Sequence, residues 1–171
     1  LKRGYNLTII DSNINSSVNV LERIYKIGQT ENNHYINQIT FIKGDIRNYE
    51  LLKKIFIDAI HKKKPISAVI HFAGLKAVEE SVKNPLLYWE NNVFGSINLF
   101  KAMQLYDCKI IVFSSSATVY GEPDVFPTKE NYISNQTSLY GASKISCEAF
   151  IQAYSNYGYF KSTIFRFVSW I

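Results

Sequence analysis

"KIIVFSSSATVYGE" (109–122) runs from an unbroken apolar stretch directly into three serines. Its first part, "KIIVFSS" (109–115), is a continuous β-branched and aromatic run and reads as a strand buried on both faces of a parallel sheet. Four further runs read the same way: "NLTIID" (6–11), "ITFIKG" (39–44), "ISAVIHF" (66–72) and "KSTIFRFV" (161–168). Helical patterns fill the gaps at about 18–28, 48–62, 84–106 and 138–157. In the third of these, Asn84 is expected to cap and Pro85 to occupy the first turn, where its missing N–H costs nothing. Strands alternating with helices predict right-handed βαβ units, hence an α/β chain built on a doubly wound parallel sheet.

A chain of 171 residues with 47% hydrophobic content suits one domain with a sizeable core. No apolar run approaches the roughly 18 residues that span a bilayer, and no signal peptide is evident, so no membrane partner is expected. Cys108 and Cys147 are the only cysteines, which points to reduced thiols in a cytoplasmic protein rather than a disulfide framework. The net charge of +5 is scattered, and its densest run, "HKKKP" (61–65), falls where a helix should end. Cations there complement the helix dipole, so nucleic acid is not the expected partner. At the start, "LKRG" (1–4) reads as the last turn of a helix capped by Gly4. An earlier strand and turn are therefore expected before it, and "FRFVSWI" (165–171) stops just past a strand. The sequence reads as an internal fragment.

Several residues stand where chemistry is done in such sheets. Asp11 ends a strand, where an acid accepts hydrogen bonds from adenosine ribose hydroxyls; a turn aspartate is the alternative. In "KGDIRN" (43–48), Asp45 and Ile46 suit either an adenine bracket or, for Asp45, the N-cap of the next helix. "FAGLKAVEES" (72–81) leaves its strand on small residues: Ala73 and Gly74 let backbone approach a ligand, and Lys76 offers a cation. His71 is read as a satisfied strand-end histidine, and the histidines and cysteines show no metal spacing. The three serines lie at the carboxyl end of a strand, where open α/β sheets bind ligands. In "LYGASKISCEAF" (139–150), Tyr140 and Lys144 share a helix face. A phenol has a pKa of about 10, and a nearby cation is expected to lower it towards a usable base. With Ser116 in reach, the three form a constellation for proton transfer coupled to hydride movement on a nicotinamide.

"DSN", "GDIRN", "HFAGLKAVEESVKNPLLYWENNV", "FSSSATVYGE" and "YGASK" follow one another in order and at a characteristic spacing. Through them the chain resembles the extended short-chain dehydrogenase/reductase family and, within it, the UDP-hexose 4-epimerases. That resemblance implies a Rossmann-type fold lacking its first strand and its C-terminal substrate-binding region, with residues 1–171 as a single partial NAD-binding domain. It implies NAD as cofactor, a UDP-sugar as substrate and a homodimeric parent. By the same resemblance Tyr140 is the base and Lys144 its partner, also bonding the nicotinamide ribose. Ser116 bonds the reacting sugar hydroxyl. Asp11, Ser12 and Asn13, with Asp45 and Ile46, hold the adenosine half, while Phe72, Ala73, Gly74, Lys76 and Asn91 contact the rest of the cofactor, Lys76 also reaching the substrate. The implied reaction interconverts UDP-glucose and UDP-galactose through a 4-keto sugar, with the hydride leaving and returning at C4.

Two departures qualify the likeness. The glycine-rich turn after the family's first strand is absent, and Val168, Ser169 and Trp170 follow "FRF" where Asn-Pro is usual. A 4,6-dehydratase needs an Asp-Glu pair in the serine loop, where "SSATVYG" has no acid. A different sugar-nucleotide epimerase, or a non-catalytic nucleotide-binding homologue, completes the alternatives.

Overall fold

The computed structural model describes residues 3–17, 19–29, 38–132 and 138–168. The chain divides into two compact units, Leu1–Ile46 and Arg47–Ile171, and each is described by itself.

In the first unit, β1 (Leu7–Asp11) and β2 (Ile39–Lys43) pair in parallel, in a register that sets Leu7 against Ile39 and Asp11 against Lys43. Helix α1 (Asn19–Gln29) forms part of the crossover that parallel pairing requires. The backbone bond from Gly44 N–H to Asp11 O carries the pairing one residue past the ladder. Gly4 has φ +80°, the left-handed conformation expected of a helix-capping glycine; Leu1 and Lys2 lie outside the described residues.

The second unit holds β3 (Ala68–His71), β4 (Ile110–Ser116) and β5 (Lys161–Phe167) in the order β3-β4-β5, all parallel. Its helices are α2 (Tyr49–His61), α3 (Val78–Lys83), α4 (Pro85–Tyr88), α5 (Gly95–Leu105) and α6 (Leu139–Asn156). Asn48 starts α2 by accepting a hydrogen bond from Leu51 N–H at 3.0 Å. That removes the N-cap alternative for Asp45. Ser138 does the same for α6, accepting from Gly141 N–H at 3.0 Å.

Ile111, Phe113 and Ser115 point from one face of β4 into the core. Phe100 and Met103 of α5 and Ile151 of α6 are likewise essentially without solvent contact. Burying a Phe or Ile side chain fully stabilises by about 1.5–3 kcal/mol, so this layer dominates the unit's stability. Phe150, Tyr154 and Phe160 extend it, ring against ring, from Phe100. The opposite sheet face carries Ile70, Ile110, Phe165 and Phe167, all exposed. Among the described residues of this unit the expectation of strands buried on both faces therefore fails, since this face stays exposed. No helix among the described residues is long and apolar enough to cross a membrane.

The stretch expected to be one helix over 84–106 is segmented. A π-helical turn, Trp89–Phe94, separates α4 from α5, and α3 is an additional short helix before them. Pro85 sits at the first helical position as expected, but the Asn84 side chain makes no capping bond.

Candidate active site

β4 delivers Ser116 at its carboxyl end, and the Ser116 hydroxyl accepts from Thr118 N–H at 3.3 Å, starting the 3₁₀ turn Ala117–Tyr120. α6 delivers Tyr140 and Lys144 one turn apart, both buried, as the helical spacing requires. The Lys144 ammonium donates to the Ser114 carbonyl at 2.8 Å and lies 5.0 Å from the Phe113 ring centre. It lies 5.9 Å from the centre of the Tyr140 ring.

The electrostatics differ from the sequence expectation. Burial pushes the Tyr140 phenol above its ordinary range, and the hydrogen bond with the Ser116 side chain offsets this only in part. Burial pushes the Lys144 ammonium the other way, down. The expected lowering of the phenol by Lys144 does not hold here, because the ammonium is anchored on Ser114 O and desolvation of the phenol dominates. Each group's charged form is disfavoured: burial favours the neutral phenol and weakens the ammonium's hold on its proton.

Asn92 was not singled out by the sequence, and it organises the site. Its side chain accepts from Leu75 N–H at 2.8 Å and donates to Leu75 O at 2.9 Å and to Ser143 Oγ at 3.1 Å. One amide thus fastens the loop after β3 to α6, at the residue preceding Lys144. Gly74 is needed beside it: a Cβ there would meet Asn92 Oδ1 at 3.2 Å and Lys144 Nζ at 3.6 Å. The only sequence signal was "ENNV", two polar asparagines in an otherwise helical stretch, where asparagine is disfavoured. The first of the pair, Asn91, was chosen; it too is buried on the π turn.

His71, at the end of β3, is a satisfied core histidine as expected. Its Nε2 lies 2.8 Å from Ser96 Oγ, and Ser96 in turn donates to Asn92 O. Since the Ser96 proton is committed to that carbonyl, Nε2 carries the hydrogen and Nδ1 is bare. Burial, then the Lys144 charge, pulls the imidazole pKa down to about 3.

The structure thus brings Ser116, Tyr140, Lys144 and Gly74 together, with Ala73 half-buried next to Gly74, and Phe72 and Lys76 exposed on the same loop. The remaining candidates belong to the first unit. Asp11 Oδ1 accepts from Asn13 N–H at 2.8 Å and from Ser16 Oγ at 2.9 Å, bonds that tie down the turn after β1. Ser12 lies within that turn, and Asp45 follows β2 at the same carboxyl end of the sheet, with Ile46 buried after it. Within the second unit, a cleft of about 460 Å³ lined by Met103, Lys109 and Tyr159 opens at the amino end of β4, away from Ser116, Tyr140 and Lys144. Among the described residues, no cluster of three His, Cys, Asp or Glu side chains could hold a metal ion.

The residues suit a nicotinamide dinucleotide on three counts. Lys144 commits one N–H to Ser114 O, and an ammonium has three to give. Gly74 lets backbone come close beside it. In the first unit, Asn13 Oδ1 is buried with no partner among the described residues.

A family model described as GDP-mannose 4,6 dehydratase matches residues 1–168. A UDP-glucose 4-epimerase of Pisum sativum is 42% identical over 148 residues, covering 86% of this chain and 40% of that protein. The Yersinia enterocolitica UDP-glucose 4-epimerase is 44% identical over 156 residues, covering 91% and 43%. Among solved structures, UDP-glucose 4-epimerase from Bifidobacterium longum in complex with NAD+ and UDP superposes with a TM-score of 0.81 at 34% identity, over 96% of this chain and 46% of that one. The chain spans less than half the length of each of these relatives.

Proposed function

We propose, for a chain that belongs to the GDP-mannose 4,6 dehydratase family, that the protein carrying it is an NAD-dependent epimerase inverting C4 of a UDP-hexose, interconverting UDP-glucose and UDP-galactose. The observation that carries this reading is the grouping of half-buried Ser116 with buried Tyr140 and Lys144 at the carboxyl end of β4. NAD would supply the acceptor and later the donor of the C4 hydride.

Proton transfer and part of the cofactor and substrate binding fall to this chain's own side chains. Tyr140 Oη takes the proton of the sugar 4-hydroxyl, and Ser116 Oγ orients that hydroxyl and the 4-keto oxygen that replaces it. Lys144 spends one N–H on Ser114 O and offers the others to the nicotinamide ribose. Burial, which raises the proton affinity of the Tyr140 phenol, makes its phenolate a stronger base towards the sugar hydroxyl. Asn91 and the loop bearing Phe72, Ala73, Gly74 and Lys76 serve the nicotinamide and diphosphate side, Lys76 also the substrate. Asp11, Ser12, Asn13, Asp45 and Ile46 serve the adenosine.

We read residues 1–171 as part of one NAD-binding domain, and the protein as a homodimer. The two free, buried cysteines support a cytoplasmic setting. The family model's description favours one second reading, a 4,6-dehydratase. Against it, Ala117 and Thr118 follow Ser116 where elimination of water needs an acid–base pair.

Tyr140→Phe in the protein carrying this chain tests the proposal. Turnover of UDP-galactose should fall by about 10²–10⁴-fold, the usual worth of a positioned general base, with NAD still bound. Near-normal turnover in that variant would remove Tyr140 from the chemistry.

A further inference from the structure

Arg166 stands outside the proposed proton-transfer group, yet it contacts each element that presents it. From β5, where it lies in register with Ser115, its Nε donates to Glu148 Oε1 and Oε2 at 3.1 and 3.2 Å. Its Nη2 donates to Glu148 Oε2 at 2.7 Å, and its Nη1 to the Glu130 carbonyl at 2.6 Å. The guanidinium carbon lies 4.8 Å from the centre of the Tyr120 ring. Glu148 is buried on α6, one turn beyond Lys144 on the same face. Tyr120 ends the 3₁₀ turn that Ser116 begins. Glu130 lies in the loop that follows this turn.

We propose that Arg166 is a positioning residue for the reaction, clamping α6 through Glu148 and the Ser116 turn through Tyr120 so that Ser116 and Tyr140 are held at one fixed separation. This inference rests on the epimerase reading and deepens it. A buried carboxylate paired with a half-buried guanidinium contributes little net stability, since desolvation offsets much of the attraction, so a stabilising role alone accounts poorly for the pair. The guanidinium instead fixes directions. Its rigid fork engages Glu148 and Glu130 in one plane while its face stacks on Tyr120, which the single point charge of a lysine cannot reproduce. Without the clamp, the helix carrying the base and the strand end carrying the serine are free to shift separately. A misplacement of about 1 Å at reacting atoms costs on the order of a hundredfold in rate.

The test compares Arg166→Met, Arg166→Lys, Glu148→Gln and Tyr120→Leu with the unaltered protein carrying this chain. NAD content, thermal midpoint, KM for UDP-galactose and kcat per NAD-loaded molecule are measured for each. The expected result is a fall in kcat of about a hundredfold for Arg166→Met, with KM little changed, as for an interaction realised only in the transition state. Arg166→Lys should recover part of the loss, because it restores the ion pair without the stack. Tyr120→Leu should lose activity with the ion pair intact. Where Arg166→Met does not fold, those two milder variants decide. A lowered thermal midpoint with unchanged kcat per folded, NAD-loaded molecule would overturn the proposal and leave a simple brace. An unaltered protein that turns over no UDP-sugar would instead overturn the epimerase reading. The clamp is then decided by crystal structures of the unaltered and Arg166→Lys proteins. A Ser116 Oγ to Tyr140 Oη separation unchanged within about 0.5 Å would refute it, and a larger displacement would uphold it.

Discussion

Mild acid should destabilise this protein through His71. The imidazole is buried between the Phe100 and Phe113 rings, donates to Ser96, and faces the Lys144 charge, which holds its pKa near 3 against an ordinary 6.5. A folded-state pKa below the unfolded one means that the unfolded chain binds the proton more readily. The associated stability is fully present above about pH 6.5 and is lost as pH falls towards 3. At about 1.4 kcal/mol per pH unit the whole displacement is worth about 5 kcal/mol, and about 2 kcal/mol of it is gone by pH 5. That is a large fraction of the roughly 5–15 kcal/mol that holds a typical protein folded. The perturbation is His71→Phe, which fits the aromatic surroundings, removes the proton site, and leaves Ser96 its bond to Asn92 O. Urea unfolding of both proteins at pH 7.5 and pH 5 separates this effect from titrating carboxylates, which are common to both. The unaltered protein should lose about 2 kcal/mol more than the variant between the two pH values. Equal losses, within about 0.5 kcal/mol, would mean that the imidazole accepts a proton without unfolding and that the burial argument is wrong.

Asn92→Ala strands the Leu75 N–H and C=O, both bonded to the side chain it removes. At about 1–3 kcal/mol for each unsatisfied buried group, denaturant unfolding should report a loss of about 2–6 kcal/mol, and a loss under 1 kcal/mol would show that water replaces the amide. Asp11 should make the protein prefer NAD to NADP, since a carboxylate facing the ribose hydroxyls repels a phosphate there. Titration of the apo-protein checks this, and comparable affinity for both cofactors would count against the assignment.

What was legible in the sequence follows from which forces act locally. The five strands were found within two residues at either end, because each is a compact apolar run bounded by polar or small residues. Helices α2 and α6 were also found, in ranges that begin at Asn48 and Ser138, the residues that cap them; the cap itself was sought at Asp45 for α2. The 84–106 region was read as one helix because the apolar spacing of a π turn looks, in letters, like a slightly irregular α-helix. Pro85 gave the right boundary, while Asn84 suggested a cap that its side chain does not make. Tyr140, Lys144 and Ser116 were legible as a group because spacing and strand-end position are local properties. The direction of the Tyr140 shift was not, since desolvation depends on what packs around the ring, including Leu75 and Tyr88 from distant parts of the chain. Asn92 was hidden for the same reason: its value lies in Leu75 and Ser143, residues 17 and 51 positions away.

The π turn at Trp89–Phe94 also sets a phase. Successive residues of an α-helix step round its axis by about 100°, so one additional residue in a turn rotates everything before it relative to everything after. Beyond the turn, Ser96, Leu99, Phe100 and Met103 are buried against the core; within it, Asn91, Asn92 and Val93 are buried as consecutive residues, which no single stripe of a regular helix allows. The wider turn lets one continuous stretch serve two partners, the apolar layer under β4 and the backbone of the loop after β3. Shortened by one residue to a regular helix, the same sequence could keep Phe100 and Met103 in the core only by swinging Asn92 away from Leu75.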